Sequence, residues 1–210
     1  MLSLQYMKHP YFWLLLPLLS WGSPARAQLS KFHGGLGAGL VQLHAVTQSA
    51  NPNNAGLVTT DANLALLSLN LGFDAPLYQF GDGEQSLGIS LNVAGGLMGT
   101  TRTDVDGLNA QFIVDLPQYA TYRYGAKATK NSQKDFGVGV GLGYRFCKFI
   151  LPFNSPSAML EGVYATTRTD YFLRFSADLR PTNFYSPDPG GGPTEEIRIR
   201  EFQVLLGYSF

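Results

Sequence analysis

Beyond residue 30, apolar and polar side chains alternate with a period of two along most of the chain. Phe202, Val204, Leu206, Tyr208 and Phe210 share one parity, and Glu201, Gln203, Leu205, Gly207 and Ser209 share the other. Successive side chains of a strand point to opposite faces, so this segment predicts a strand with one apolar face and one small or polar face. The pattern recurs. Leu67, Leu69, Leu71 and Phe73 alternate with Ser68, Asn70, Gly72 and Asp74, and Leu87, Ile89, Leu91 and Val93 alternate with Gly88, Ser90, Asn92 and Ala94. Phe136, Val138, Val140, Leu142, Tyr144 and Phe146 alternate with Gly137, Gly139, Gly141, Gly143 and Arg145. Tyr171, Leu173, Phe175 and Leu179 alternate with Phe172, Arg174, Ser176 and Asp178. Phe112, Val114 and Leu116 begin a further stripe that runs on to Tyr122 and Tyr124. Parity is ambiguous over the Gly-rich 32–45, and Met159 and Val163 blur the contrast around Glu161. The predicted strands are about 31–45, 63–74, 85–98, 110–124, 135–148, 157–167, 170–180 and 196–210.

Each of these segments is near the length that a tilted membrane strand needs, about 9–11 residues. Beyond the N-terminus no apolar run is long enough for a membrane helix, which takes roughly 20 residues. A sheet can enter lipid only as a closed barrel, because an open edge leaves backbone groups unpaired there. The fold class expected is therefore all-β: an eight-stranded antiparallel up-and-down transmembrane β-barrel. With the N-terminus in the periplasm, the outward loops are 46–62, 99–109, 149–156 and 181–195. Asn51-Pro52-Asn53-Asn54 and Pro187–Pro193 mark the first and last of these as exposed. The periplasmic turns are 75–84, 125–134 and 167–170, and the first two are long for that side.

The N-terminus carries a different signal. Lys8 and His9 precede a short apolar run, Tyr11–Ser20, which Pro17 interrupts, and Ala25-Arg26-Ala27 follows. This is the anatomy of a secretory signal peptide. Residues 1–27 are expected to be removed, leaving 28–210 as the barrel domain. The mature chain loses Lys8 and Arg26 and no acid, so 13 basic and 15 acidic residues remain of the original 15 of each. No basic patch stands out, which argues against nucleic acid as a partner.

The aromatic-ended last strand resembles that of the bacterial outer-membrane barrel superfamily. The segment 119–125 (YATYRYG) followed by 136–146 (FGVGVGLGYRF) resembles a strand pair of small OmpA- and OmpX-like barrel domains. The resemblance implies an outer-membrane location. It also implies that Phe202, Tyr208 and Phe210 form the signal read by the barrel-assembly machinery, with outer-membrane lipid as the surrounding partner.

Placing the polar parity inside puts Asp115, Arg123, Arg145, Glu161, Arg174, Asp178 and Glu201 in the lumen. An eight-stranded barrel is only wide enough to be filled by side chains, and unpaired buried charge is costly. A packed, salt-bridged lumen is the first expectation, and a narrow polar conduit beside the glycines of 137–143 is the alternative. Catalytic chemistry finds little support. His33 and His44 are the histidines left after export. Ser30 or Ser209 lies within sequence reach of His33, but no G-x-S-x-G elbow is present. Two histidines eleven residues apart do not match a zinc spacing, and Asp61, Asp104 and Asp106 read as solvated loop charge. The run 33–39 (HGGLGAG) lacks the G-K-[ST] ending of a phosphate loop. Cys147, the single cysteine, reads as a packed apolar residue. No catalytic residue, cofactor or metal is expected.

The function expected is thus a structural or surface-interaction protein that meets an extracellular partner through loops 46–62 and 181–195. Its rivals are a narrow channel or carrier for small solutes or apolar molecules, a lipid-modifying enzyme using His33 or His44, and a soluble lipocalin-type barrel with the parities reversed.

Overall fold

A computed structural model describes residues 31–48, 57–100, 110–148, 152–186 and 195–209. The expected signal peptide, Ser30, Asp104, Asp106 and Phe210 lie outside the described residues. The strands are β1 (Lys31–Gln48), β2 (Leu57–Phe80), β3 (Gln85–Thr100), β4 (Gln111–Gly125), β5 (Phe136–Lys148), β6 (Pro152–Ala165), β7 (Asp170–Asp178), β8 (Thr182–Ser186) and β9 (Glu195–Ser209). Neighbours pair antiparallel in chain order through β7, which pairs with β9, and β9 pairs with β1 to close the sheet. β8 is laddered to β9 alone, from Thr182↔Ile199 to Ser186↔Glu195, and carries on the line of β7 after a break at 179–181. The barrel therefore has eight staves, the seventh built in two pieces. Pro181 marks the break, since it has no N–H to give to a ladder.

Closure puts the two parities on two surfaces. Leu36, Leu67, Leu69, Leu71, Leu97, Phe136, Leu142 and Leu206 are among the outward residues, each more than half exposed. Their inward neighbours, such as Ser68, Asn70, Arg145, Glu161 and Gln203, are buried. A soluble protein hides its large apolar side chains, and here they form the outer wall. This sets the lipocalin-type arrangement aside and makes the wall a lipid-facing belt, with all backbone partners supplied inside the closed sheet. Aromatic residues gather where the belt meets the short turns. Phe32–Phe73, Phe80–Tyr122 and Phe136–Tyr164 pair there with ring centroids 5.6, 6.2 and 5.0 Å apart.

The two ends differ, and both correct the sequence-based boundaries. At the turn end β2 runs on to Phe80, past a bulge between Pro76 and Tyr78, so the expected long turn 75–84 shrinks to 81–84. Gly81 closes it by accepting a 2.9 Å bond from the Glu84 N–H, with Asp82 and Gly83 both at positive φ (56° and 86°). That is the Asp-Gly geometry whose twist matches the strands it joins. The turn after β4 stays long because it folds inward. Ala126, Lys127, Ala128 and Thr129 are buried in the barrel mouth. At the loop end, strands replace expected loop. β1 reaches Gln48 and β2 starts at Leu57, β6 starts at Pro152, and β8 occupies part of 181–195.

A belt of this kind makes a definite prediction. Leu69, 68% exposed in mid-belt, should tolerate Leu69→Ala modestly. Leu69→Arg should lose roughly 2–4 kcal/mol, the cost of a cation near the bilayer midplane. Denaturant unfolding of the protein refolded into vesicles measures both, and equal effects of the two changes would show that this face does not meet lipid.

Candidate functional site

Two ionic networks cross the lumen. In the one nearer the turn end, Arg123 of β4 donates to Asp74 of β2 at 2.8 Å and to Glu161 of β6 at 3.2 Å. Arg174 of β7 reaches Glu161 at 2.5 Å and Asn92 of β3 at 2.7 Å. Lys127 enters from the inward-folded turn, 2.9 Å from Asp74 and 3.6 Å from Glu161, with its ammonium 4.3 Å from the centre of the Phe172 ring. Lys127 holds a positive φ of 65°, a backbone state that non-glycine residues adopt at a cost. Its two ion pairs and the ring contact hold it there. Strands β2, β3, β4, β6 and β7 are thus joined through side chains as well as through the wall.

The second network lies toward the loop end. Arg145 of β5 donates from Nε and Nη2 to Asp115 at 2.8 and 2.7 Å. Its Nη2 also donates to Glu201 of β9, and its Nη1 lies 3.6 Å from Asp178 of β7. Asp178 in turn accepts the Glu201 backbone N–H at 2.8 Å. One guanidinium therefore holds three carboxylates. Beyond this layer Val41, Leu64, Leu66, Met98, Ile113, Cys147, Phe153 and Ile199 form an apolar cluster, with Phe184 and Ile197 packed against it. Cys147 is an apolar packing residue of that cluster.

All seven charged residues placed in the lumen from the sequence are buried there, but they do not form one network. The structure divides them between the Arg123–Arg174 group and the Arg145 group and adds Asp74, His33 and Lys127. Asp74 stands with Ser68 and Asn70 on the polar parity of the predicted strand 63–74, so the same parity rule places it in the lumen. Lys127 carries no such signal, because it sits in a turn and strand parity does not apply. The space over the inward glycines of β5 is taken by neighbouring side chains. A Cβ at Gly139 would lie 3.2 Å from Arg123 Cγ, and one at Gly141 would lie 2.9 Å from Met159 Cγ and 3.1 Å from Tyr119 Cβ. Those glycines make room for large neighbours. Near Asp74, Arg123 and Lys127 the residual cavity is about 10 Å³, room for one water at most.

His33 is buried beside this network. Nδ1 lies 3.1 Å from Asp74 and Nε2 lies 2.9 Å from Asn92 Oδ1. Ser209 is its cross-strand neighbour in the β1–β9 register, yet the bond to Asn92 occupies the nitrogen a serine nucleophile would need. His44 is outside the lumen, 2.6 Å from Asp61. The two histidines and Asp61 therefore do not assemble a nucleophile or a metal site, and no metal-ligating cluster occurs among the described residues.

A second feature lies on the outer wall at the loop end. Gln42, His44, Asp61, Asn63, Pro181, Arg198 and Arg200 line an open groove of about 470 Å³. These outward positions sit beyond the last apolar row of β1, β2 and β9: Leu40 is level with Phe202 and Ala65, and Gln42 with Arg200 and Asn63. Arg198 pairs with Glu196 at 2.8 Å. Arg200 donates from Nε to the Asp178 carbonyl at 3.1 Å and stacks over the Phe202 ring at 4.8 Å. Of the residues tied to assembly, Tyr208 is half exposed on the belt and Phe202 is partly buried.

Closed sheet, apolar exterior and charge-filled interior together define an integral β-barrel of the bacterial outer membrane. Neither a protein-family model nor a curated protein sequence matches the chain. Among solved structures, the chain is similar to the outer membrane protein OprG from Pseudomonas aeruginosa, with a TM-score of 0.48 at 12% identity over 87% of this chain and 96% of that one. It is also similar to Ail, the attachment invasion locus protein of Yersinia pestis, with a TM-score of 0.32 at 11% identity over 86% and 99%. The Pseudomonas putida toluene transporter TodX is a third, with a TM-score of 0.30 at 13% identity; there the chain spans 84% of itself and 45% of that protein.

The lumen makes its own prediction. Arg145→Met leaves three buried carboxylates without their cation and should cost roughly 3–5 kcal/mol. Adding Asp115→Asn and Glu201→Gln to that variant should restore part of the loss, because each removes an unpaired charge. Unfolding of the single and combined variants in vesicles measures the coupling, and strictly additive losses would show that these groups do not act as one network.

Proposed function

We propose that this protein is a closed-lumen outer-membrane scaffold that binds a surface partner at its loop end. The observation that carries this reading is a polar wall standing beyond the belt. β2, β1, β9 and β8 continue as one sheet past the lipid-facing rows, with Gln48↔Leu57, Val46↔Glu196 and Ser186↔Glu195 still paired. Its outward face carries His44, Asp61, Asn183, Tyr185, Glu196 and Arg198. The strand ends that flank 49–56 and 187–194, the middles of the two candidate binding loops, all belong to this wall: Gln48, Leu57, Ser186 and Glu195. Loops on a rigid support are a common way to carry a binding function. The partner class is an extracellular macromolecule, a surface polysaccharide or a host-cell molecule. During biogenesis the assembly machinery would read the last strand, with Phe202 and Tyr208 on it. A lumen crossed by two ionic networks and capped by an apolar cluster supports a scaffold over a pore, since moving an ion through it requires breaking buried pairs.

A seam in the wall favours a second reading. β6 pairs with β5 up to Pro152 but forms a ladder with β7 only from Ser157, and β8 is not laddered to it. Side chains bridge the space, with Thr182 Oγ1 donating to the Asn154 carbonyl at 3.0 Å and Ser155 Oγ to the Arg180 carbonyl at 2.9 Å. Behind it lies the apolar cluster with Phe153 and Phe184. A carrier of small apolar molecules would use such a seam.

Planar-bilayer recording and a binding assay separate the two. The scaffold reading expects no unitary conductance from the refolded wild type. Replacing 49–56 and 187–194 by short Gly-Ser linkers should abolish binding to cells or surface polysaccharide while heat-modifiable gel mobility persists. Stable conductance steps would overturn it. Uptake of a small aromatic hydrocarbon into vesicles, lost when Asn154→Cys and Thr182→Cys are oxidised to each other, would favour the carrier.

A further inference from the structure

We propose that the outer-wall groove at the loop end is a lipid site that seats the phosphate of a phosphorylated headgroup on Arg200. The inference depends on the membrane belt and not on the loop-binding reading. Four observations carry it. First, the groove begins one row beyond the last lipid-facing row. Along β9 the outward residues run Tyr208, Leu206, Val204, Phe202, Arg200, Arg198, so the wall changes from apolar to cationic at a single step. At the same level β1 and β2 change from apolar to neutral polar, from Leu40 to Gln42 and from Ala65 to Asn63. That step is where acyl chains give way to headgroups, and a ligand spanning it must be apolar below and polar above.

Second, the charges in the groove are unevenly satisfied. Glu196 is matched by Arg198 at 2.8 Å, and Asp61 has a hydrogen-bond contact with His44 at 2.6 Å. Arg200 has no carboxylate partner among the described residues. Third, Arg200 is already positioned. Its Nε is bonded to the Asp178 carbonyl and its plane stacks on Phe202, so Nη1 and Nη2 remain to meet an anion in the fork geometry that suits phosphate. Fourth, Gln42 lies beside Arg200 in the β1–β9 register and supplies a neutral hydrogen-bonding group for the rest of a headgroup. A carboxylate ligand of the soluble phase would need none of the apolar rows below. A phosphorylated amphiphile uses all of these features, its chains lying on Leu40, Leu67 and Phe202 and its phosphate on the guanidinium.

The test uses the full mature chain refolded into three phosphatidylcholine vesicle preparations. These contain diphosphorylated lipid A, its dephosphorylated form, or neither. Lipid retained per barrel after gentle detergent extraction is read by native mass spectrometry. The expected result is retention of the diphosphorylated form by the wild type, and roughly tenfold less by Arg200→Gln, the loss expected of one charge-assisted contact. Arg200→Lys should keep an intermediate amount, and heat-modifiable mobility should be unchanged throughout. Equal retention by wild type and Arg200→Gln overturns the proposal. Equal retention of the phosphorylated and dephosphorylated lipids by the wild type also overturns it, and this arm does not depend on any variant folding. Displacement of lipid A by millimolar inorganic phosphate alone overturns the lipid source in favour of a soluble phosphate.

Discussion

Charge buried in a narrow lumen is the constraint on which the rest of this barrel depends. Asp74, Asp115, Glu161, Asp178 and Glu201 point inward with Arg123, Lys127, Arg145 and Arg174, and none of them can reach bulk water. Each ion must find an opposite ion across the lumen, and the cost of leaving one unmatched is several kcal/mol. Pairs such as Arg145–Glu201 and Arg123–Asp74 connect staves that are not neighbours. They work as cross-struts, and a slip of register by one residue in any stave would turn its charges into lipid. Register is therefore set from inside the barrel as firmly as by the ladders of the wall.

The same constraint explains the glycines. A barrel of eight staves has little interior volume, and arginine is a large residue. Gly139 and Gly141 face Arg123, Tyr119 and Met159, and Gly37 faces Ser68, Asn70 and Gln203. Small residues on β1 and β5 give up volume that long side chains from β2, β4, β6 and β9 occupy. The room beside the glycines of β5 holds Arg123, Tyr119 and Met159.

Strand number, strand direction and the inward set of Asp115, Arg123, Arg145, Glu161, Arg174, Asp178 and Glu201 were legible because parity is a one-dimensional signal, blurred among these residues only around Glu161, where Met159 and Val163 share its face. The features that escaped do not obey parity. Lys127 reaches the lumen from a turn, which only the three-dimensional closure of the turn end reveals. β8 is five residues long and is laddered to one neighbour, so it has neither the length nor the contrast of a membrane strand. The part of the loop-end wall at 46–48 and 57–62 was read as loop because it shows no apolar outward stripe, Asp61 being an outward residue there, and such a stripe was the criterion for a strand. Polar strands beyond the bilayer obey the same backbone rules without showing that stripe.

The two ends of the barrel can therefore be assigned different work. At the turn end, the inward-folded segment 126–129, the Lys127 pairs and the ring of aromatic residues close the mouth and fix it in the interface. At the loop end the eighth-stave closure of the belt gives way to a one-sided wall, because only β2, β1, β9 and β8 continue together while the line of β7 breaks at Pro181. That break does two things at once. It interrupts the ladder between the sixth and seventh staves, and it frees the Asp178 carbonyl to hold Arg200. The seam and the cationic edge of the groove thus meet at one break, where Pro181 lacks a backbone donor on one side and Pro152 and Pro156 lack one on the other.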